Sequence, residues 1–501
     1  MSRRPRLPLV LAAVAVVVVI VGALLAAGAF SSSGSGGDPA NAVPPSAAIY
    51  ATVDLNPGGE AGDSVKHVLG HVAGDGDDPG PALRSLADAV LGRAGLSYTR
   101  DVAPWVGSRL SAFVTRFGPG FEGAIVASAA DQHLARKTLE RTGKPFAVLN
   151  GAAIVGTAAA VHAAQRAAES GISLGASDRY TQAIAQRASP VAMVYIDVPN
   201  LVDALPASLI GAQRRRDLRL RFARIEDKPT VISMTGADNR IALDFGNPPA
   251  APDPSSPTPV GGGERGTSLL PTRLIYSLPA QSWLAVDVPE AGQRLFEALS
   301  PEVNPGLPSD QLRAFERRFA RMTGLRPIED IASWIGGAAL FAFGTSPADL
   351  TAGLVIESLN PDQSAHALAL LRRFVARQPG VSVAPAPQGF VVRAPRLLPG
   401  PVTVINRGNR IAIVYGRDPG AGLDAPVKLG MLRAFRETAD QLGGSLLPAG
   451  WLTPGRAAAF AGALGLARSP LFRAALPHLA RVAYAQLGIK RTKRRVLIGA
   501  R

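Results

Sequence analysis

The sequence predicts an α+β protein in which an N-terminal transmembrane helix precedes two tandem, internally duplicated α+β domains with mainly antiparallel sheets. Three observations lead to this prediction: an uncharged apolar run near the N-terminus, a Pro-rich break near the middle of the chain, and a sequence block that occurs twice. The chain of 501 residues is long enough for two or three domains, and 47% of its residues are hydrophobic, so it can bury substantial cores.

The apolar run covers residues 7–30 and directly follows three arginines, Arg3, Arg4 and Arg6. At 1.5 Å of rise per residue, such a run exceeds the roughly 30 Å hydrocarbon core of a bilayer, and the preceding arginines favour the cytoplasmic side. Residues 27–29, Ala-Gly-Ala, also fit a signal-peptide cleavage site, so removal of the segment is the alternative. Both interpretations place the body outside the plasma membrane, and the length of the run favours an uncleaved single-pass anchor.

Two segments of biased composition divide the rest of the chain. Residues 31–45, SSSGSGGDPANAVPP, are typical of a flexible stalk. Residues 247–263 contain six Pro and three Gly among seventeen residues, which indicates an extended linker. The predicted organisation is therefore a cytoplasmic terminus over 1–6, a transmembrane helix over 7–30, a stalk over 31–45, a first repeat domain over 46–246, a linker over 247–266, a second repeat domain over 267–480 and a basic C-terminal tail over 481–501.

The two exterior halves resemble each other in sequence. Residues 83–107 and 312–336 are identical at eight of twenty-five positions without a gap. The identities include Asp101/Asp330 and Trp105/Trp334, and upstream Asp54 aligns with Asp287 at the end of a short apolar run. An internal duplication is the economical explanation.

Each repeat contains predicted strands and helices in the same order. Short apolar runs bounded by Pro predict strands, and helical spacing followed by Gly predicts helices with a C-cap. The predicted strands are 49–55 and 282–288, 109–117 and 338–343, and 123–128 and 353–357, with 191–198, 230–235 and 240–245 added in the first repeat. The predicted helices are 82–92 and 309–322, and 131–141 and 361–377. Hairpins turning at residues 150–151 and 407–409 favour antiparallel pairing.

The net charge of +15 is concentrated in patches, and the last patch consists of Lys490, Arg491, Lys493, Arg494, Arg495 and Arg501. A solvated tail is the simpler interpretation of this patch. The functional interpretation is contact with an anionic surface, either lipid headgroups or an acidic envelope polymer. Nucleic acid is not an expected partner, because the segment lies outside the cell and lacks interleaved aromatic residues.

Metal and thiol chemistry find little support in the sequence. The chain has no Cys, which excludes disulfides, thiolate nucleophiles, Cys-ligated metals and a lipoprotein anchor. His67 and His71 have the spacing of a two-His metal pair but lack a neighbouring Glu, and Asp75 to Asp78 lack the later ligands of a calcium loop. We therefore expect no metal site and no cofactor.

Four carboxylates that recur in both repeats are the candidate chemical groups, namely Asp54, Asp287, Asp101 and Asp330. Asp at a strand end or before a turn commonly accepts hydrogen bonds from free backbone N–H groups, so a structural role is expected. The alternative is that two of them act as acid and base in one cleft, as in a hydrolase. Trp105 and Trp334 are predicted to be core anchors whose indole N–H donates to a carbonyl.

The opening of the exterior, residues 43–58, together with the Asp-x-Ala-Pro-Trp block ending at Gly107 and its second copy at Trp334, resembles a bacterial family described as domain of unknown function 3352 (DUF3352). The resemblance covers most of residues 43–450. It implies a membrane helix followed by a long α+β exterior, and it assigns no catalytic residues. The second repeat departs from the pattern, with Trp283 at the position of Tyr50.

We therefore expect a single-pass, membrane-anchored extracytoplasmic protein of the bacterial cell envelope that acts as a non-catalytic binding or structural module. The alternative is an extracytoplasmic hydrolase of wall polymer or peptide. The expected partners are the plasma membrane and an anionic envelope component.

Overall fold

The computed structural model describes residues 37–73, 97–118, 120–185, 187, 190–206, 211, 215–216, 219, 229–246, 274–299, 309–443, 446–468, 470–490 and 493–500. The predicted membrane segment over 7–30, the helix over 82–92 and the linker over 247–266 lie outside these residues. The chain divides into two compact units, the first ending at Gly262 and the second running from Gly263 to Gly499.

The first unit is an antiparallel sheet with helices, which confirms the predicted α+β class. Its strands are β1 (Ile49–Asp54), β2 (Val106–Arg116), β3 (Glu122–Ala129), β4 (Phe146–Leu149), β5 (Ala152–Gly156), β6 (Ala192–Ile196), β7 (Thr230–Ala237) and β8 (Arg240–Gly246). Its helices are α1 (Gly59–Ala73), α2 (Gln132–Glu140), α3 (Ala158–Ser170), α4 (Asp178–Ile184) and α5 (Val198–Ala204). The strands pair in the order β8-β7-β6-β1-β2-β3-β5-β4.

The second unit repeats this strand order. Its strands are β9 (Leu284–Val288), β10 (Ile335–Phe343), β11 (Thr351–Ser358), β12 (Ser382–Ala386), β13 (Gly389–Arg393), β14 (Val402–Asn406), β15 (Arg410–Tyr415), β16 (Leu447–Leu452), β17 (Val482–Lys490) and β18 (Lys493–Ala500). Its helices are α6 (Leu274–Ser277), α7 (Ala291–Leu299), α8 (Ser309–Thr323), α9 (Pro361–Ala376), α10 (Arg433–Gln441), α11 (Pro454–Ala463) and α12 (Pro470–Arg481). The order β17-β16-β9-β10-β11-β15-β14 corresponds to β7-β6-β1-β2-β3-β5-β4, and the hairpin of β12 and β13 extends it.

Local sequence signals explain most element boundaries. Asp131 and Asn360 cap α2 and α9, because their side chains accept hydrogen bonds from the N–H groups of Leu134 and Gln363. The turn between β4 and β5 has positive φ at both Asn150 (52°) and Gly151 (75°), as the Asn-Gly pair predicts for a tight hairpin.

The prediction of a flexible stalk over 31–45 is wrong from residue 37 onward. Pro39–Ala42 form a helical turn capped by Asp38, and Ala40 and Val43 are buried in the first core. The N–H of Leu174 donates to the Val43 carbonyl at 2.7 Å. The composition is that of a stalk, but its Ala and Val side chains are small and apolar, so they fill space beside α3 that a Gly/Ser segment would leave empty.

The prediction of a basic tail over 481–501 is also wrong. Residues 482–490 form β17, which pairs with β16 from Ile489 opposite Leu447 to Ala485 opposite Leu452. Tyr484 belongs to the second core, where its ring stacks on Trp451 at a centroid distance of 5.2 Å. Seven of the 21 residues from 481 to 501 are Lys or Arg, but β17 consists largely of apolar residues, which can pack against a core from a strand.

Candidate functional site

Each unit contains a cleft at the end of its first strand. The first cleft has a volume of about 280 Å³, and its polar lining residues are Asp38, Thr52, Asp54, Arg109, Tyr180 and Arg187. The second cleft has a volume of about 190 Å³ and is lined by Asp287, Arg294 and Arg494 with several apolar residues. Asp54 ends β1, and Asp287, its counterpart in the sequence alignment, is the penultimate residue of β9, so each cleft lies near the end of the first strand of its unit.

The first cleft forms where one face of the sheet changes from apolar to charged. Tyr50, Thr52 and Asp54 alternate along β1 and therefore lie on the same face. The residues paired with them on β2 are Phe113, Ser111 and Arg109, in that order. The face thus runs from aromatic to hydroxyl to charged side chains, and the core ends where the cleft begins.

Asp38, Asp54 and Arg109 line the first cleft, and hydrogen bonds fix the two carboxylates and the guanidinium group in place. Nη1 of Arg109 donates to Oδ2 of Asp38 at 3.3 Å, and the two side chains are 49% and 45% exposed. Asp54, which lies opposite Arg109 in the strand register, accepts a hydrogen bond at Oδ1 from the N–H of Asn56 at 2.9 Å. Arg109 is therefore placed next to two carboxylates, one from the N-terminal segment and one from β1.

Arg187 also lines the first cleft, and several hydrogen bonds hold its guanidinium group in place. Its Nη1 donates to Oγ of Ser233 at 2.7 Å, and its Nη2 donates to the carbonyls of Val231 at 3.2 Å and Gly246 at 2.6 Å. Burial lowers the pKa of Arg187, and the nearby Asp244 carboxylate acts in the opposite direction. These bonds hold a guanidinium group in one orientation, so its charge acts on the cleft from a fixed position.

Two residues that line the first cleft, Thr52 and Tyr180, contact a buried cluster of hydroxyl groups and aromatic rings. The hydroxyls of Tyr50 and Ser111 are 3.2 Å apart, and Oγ of Ser111 donates to Oγ1 of Thr52 at 2.9 Å. The Tyr180 ring packs edge-on against Tyr50 at 5.8 Å and against Tyr195 at 5.3 Å. Burial raises the pKa of Tyr50 to about 12 and raises that of Tyr180 further, so both phenols are neutral donors at physiological pH.

The second cleft keeps the duplicated carboxylate but surrounds it differently. Asp287 is only 4% exposed, and the remaining wall comes largely from apolar residues of β16 and β17. Nε of Arg294 donates to the Pro289 carbonyl at 3.0 Å, and Arg494 is exposed on β18. The combination of a duplicated Asp with two guanidinium groups therefore occurs in both clefts, although the arginines come from different elements.

The other duplicated carboxylates line neither cleft and have structural roles, as predicted. Asp101 accepts a hydrogen bond from the N–H of Ser97 at 2.8 Å, and Asp330 accepts the equivalent bond from Arg326 at 2.7 Å. The indole N–H of Trp105 donates to the Asp101 carbonyl at 2.7 Å, and that of Trp334 donates to the Asp330 carbonyl at 2.8 Å. The same turn is thus built twice from the same residues.

Asp101→Asn is expected to destabilise the first unit at neutral pH and to have progressively less effect in acid. Hydrogen bonds from Arg100, from the Ser97 N–H and from Arg141 hold the pKa of Asp101 well below its usual range. A depressed folded pKa contributes stability above the unfolded value of about 4, and this contribution is lost as pH falls through the folded value. Urea unfolding of both proteins at pH 7 and pH 3 measures the difference, and an equal effect at both pH values contradicts this account.

Arg494 and Arg495, the two sequence-predicted contact residues whose side chains the structure describes, have different surroundings. Lys490 ends β17 and Lys493 begins β18. Arg494 lines the second cleft, Nη1 of Arg495 donates to the Leu442 carbonyl at 3.3 Å, and Arg491 lies outside the described residues. Sequence reasoning missed Arg109, Tyr180 and Arg187, and only Arg109 carries a signal, because it pairs with Asp54 once the two strands are aligned.

The histidine pair lies on α1 without a metal-binding constellation. The rings of His67 and His71 have a centroid distance of 4.3 Å, and Nδ1 of His71 lies 3.0 Å from the His67 carbonyl oxygen. Within the described ranges, no group of three or more His, Asp or Glu residues is arranged to hold a metal ion. In the same ranges, which begin at Gly37, no helix has the length and apolar character needed to cross a bilayer.

No family model matches this chain, and no curated protein matches it. Crystal form III of TP0453 is similar over 46% of this chain and 79% of its own, with 11% identity and a TM-score of 0.23. Crystal form I of the same protein is similar over 47% of this chain and 92% of its own, with 12% identity and a TM-score of 0.23. A similarity at this level does not establish a shared fold.

Proposed function

We propose that this chain is a single-pass, membrane-anchored extracytoplasmic protein of the bacterial cell envelope that binds an envelope ligand without catalysing a reaction. The resemblance to the DUF3352 family and the apolar run over 7–30 support the location. The observation that carries the binding role is the cleft at the end of β1, with its two carboxylates and two guanidinium groups.

The disposition of the duplicated carboxylates favours binding over hydrolysis. An acid and base pair needs two carboxyl groups facing the same space at a separation of about 5–10 Å. Asp101 and Asp330 instead accept backbone N–H groups in turns outside both clefts. Within the first cleft, Asp38 and Asp54 each accept a backbone N–H as well, from Ala40 and Asn56. Groups held in this way are suited to positioning a ligand by charge and hydrogen bonds.

Photocrosslinking in intact cells tests the binding role. A photoreactive amino acid at Ala61, which lines the first cleft, is expected to form an adduct with an envelope component in the full-length protein. The same amino acid at Gln132, an exposed residue at the start of α2, is the matched control. Equal adduct patterns at the two positions would count against a ligand in the cleft. A C-terminal reporter that is active only outside the cytoplasm tests the location separately.

A further inference from the structure

We infer that the first cleft recognises a short peptide, or a single amino acid, through its free amino and carboxyl ends. This inference rests on the proposed function and specifies the ligand of the same cleft.

The lining charges of the first cleft are balanced. Asp38 and Asp54 contribute two carboxylates, and Arg109 and Arg187 contribute two guanidinium groups. A purely anionic ligand would meet two carboxylates at close range, and a purely cationic ligand would meet two guanidinium groups, so each would be disfavoured by like charges. A ligand that carries one positive and one negative charge can pair with a carboxylate and a guanidinium group at the same time.

Arg109 has the capacity to bind the carboxylate of such a ligand. Among the described residues, its side chain bonds only to Asp38, and it is 49% exposed. A guanidinium group has five N–H donors in a planar fork, so the donors that Asp38 does not use can donate two hydrogen bonds to a second carboxylate. Nη1 and Nη2 of Arg187 donate to Ser233, Val231 and Gly246, and its buried Nε has no hydrogen-bond partner among the described residues. Because both terminal nitrogens are already engaged, Arg187 contributes positive charge to the cleft rather than a bidentate contact.

Asp54 has the capacity to bind the ammonium group. Its Oδ1 accepts the Asn56 N–H, and in the part of the chain that the structure describes its Oδ2 has no hydrogen-bond partner. Asp54 is half-buried at the cleft wall and lies opposite Arg109 in the register of β1 and β2. A free acceptor and free donors on adjacent strands therefore face the same space.

The size of the cleft limits the ligand to a few residues. A volume of about 280 Å³ is at the lower end of small-molecule pockets. Thr52 and the Tyr180 ring line the cleft, while Ile184 and Met193 provide an apolar wall for a small side chain. The second cleft is smaller, its Asp287 is almost fully buried, and among the described residues no second carboxylate lines it. We therefore assign the recognition to the first cleft alone.

Binding of triglycine to the full-length protein in lipid nanodiscs tests this inference by calorimetry. Triglycine with both ends free is expected to bind, and N-acetylation or C-terminal amidation is each expected to weaken binding at least tenfold. Arg109→Gln should remove the preference for the free carboxylate, and Asp54→Asn should remove the preference for the free amine. Asp287→Asn, the matched change in the second cleft, should leave all affinities unchanged.

The results of these experiments show whether the proposed ligand class fails alone or together with the proposed binding role. If acetylated and amidated triglycine bind as well as the free peptide, recognition of charged ends is overturned. If none of the three peptides binds while the Ala61 photocrosslink persists, the ligand class is overturned and the binding role stands. If the crosslink is absent too, both proposals fail. An effect of Asp287→Asn equal to that of Asp54→Asn would overturn the assignment to the first cleft.

Discussion

A chain truncated after Arg481 is expected to lose the cooperative unfolding transition of the second unit. The truncation removes β17 and β18, and with them the hydrogen bonds that β17 makes to β16. It also removes the Tyr484 ring, which stacks on Trp451, and the buried side chain of Leu497. Burial of each such side chain contributes about 1.5–3 kcal/mol, and an exposed strand edge adds a further cost, so the total loss is comparable with the stability of a domain.

Near-ultraviolet circular dichroism during urea unfolding measures this effect, because three of the four Trp residues lie in the second unit. The control is a full-length chain in which Lys490, Arg491, Lys493, Arg494 and Arg495 are replaced by Gln, since it loses the charge and retains the strands. We expect this control to keep its transition. An unchanged transition in the truncated chain would restore the interpretation of a solvated tail.

Tyr50→Ala is expected to lower the free energy of unfolding of the first unit by about 3–5 kcal/mol, the range for removing a large buried aromatic side chain. Tyr50 is fully buried in the first core and contacts the ring of Tyr180, which lines the cleft. The cavity left by the substitution would also release Tyr180, so the cleft should lose its shape. Hydrogen exchange of β1 and β6 amides, followed by mass spectrometry, measures the loss locally.

Tyr50→Phe distinguishes the contribution of the Tyr50 ring to stability from that of its hydroxyl group. It keeps the packing and removes the hydrogen bond to Ser111, which costs about 1 kcal/mol near neutral pH. The raised pKa of Tyr50 stabilises the fold fully below about pH 10, and this contribution is lost as pH rises from about 10 to about 12. The wild type should therefore lose its advantage over Tyr50→Phe in that window. A constant difference up to pH 12 would contradict burial of the phenol.

The elements that the sequence predicts well are those with local signals. The strand predicted over 49–55 and the hairpin turn at 150–151 depend on neighbouring residues, and the structure confirms both. The two wrong predictions, at residues 37–45 and 482–500, were made from composition. In both segments the buried apolar residues decide whether the chain packs, and the Gly, Ser or Arg residues between them do not. These apolar residues can be recognised as buried only once the elements against which they pack are known.

The first cleft could be predicted only in part for a related reason. Asp54 can be identified in the sequence because it recurs in the second repeat, and Arg109 can be identified once β1 and β2 are paired. Asp38, Tyr180 and Arg187 come from separate parts of the chain, and no spacing in the sequence connects them. Their convergence depends on the tertiary fold, and no local pattern in the sequence indicates which distant segments come together.

The burial of the segment after Gly37 sets a length for the tether. With the proposed anchor ending at Phe30, seven peptide steps separate it from Gly37, and an extended chain of that length reaches at most about 25 Å. Asp38, the next residue, lines the first cleft. The cleft would therefore stay near the outer leaflet, where it could capture molecules as they leave the lipid surface but could not sample the distant layers of the wall.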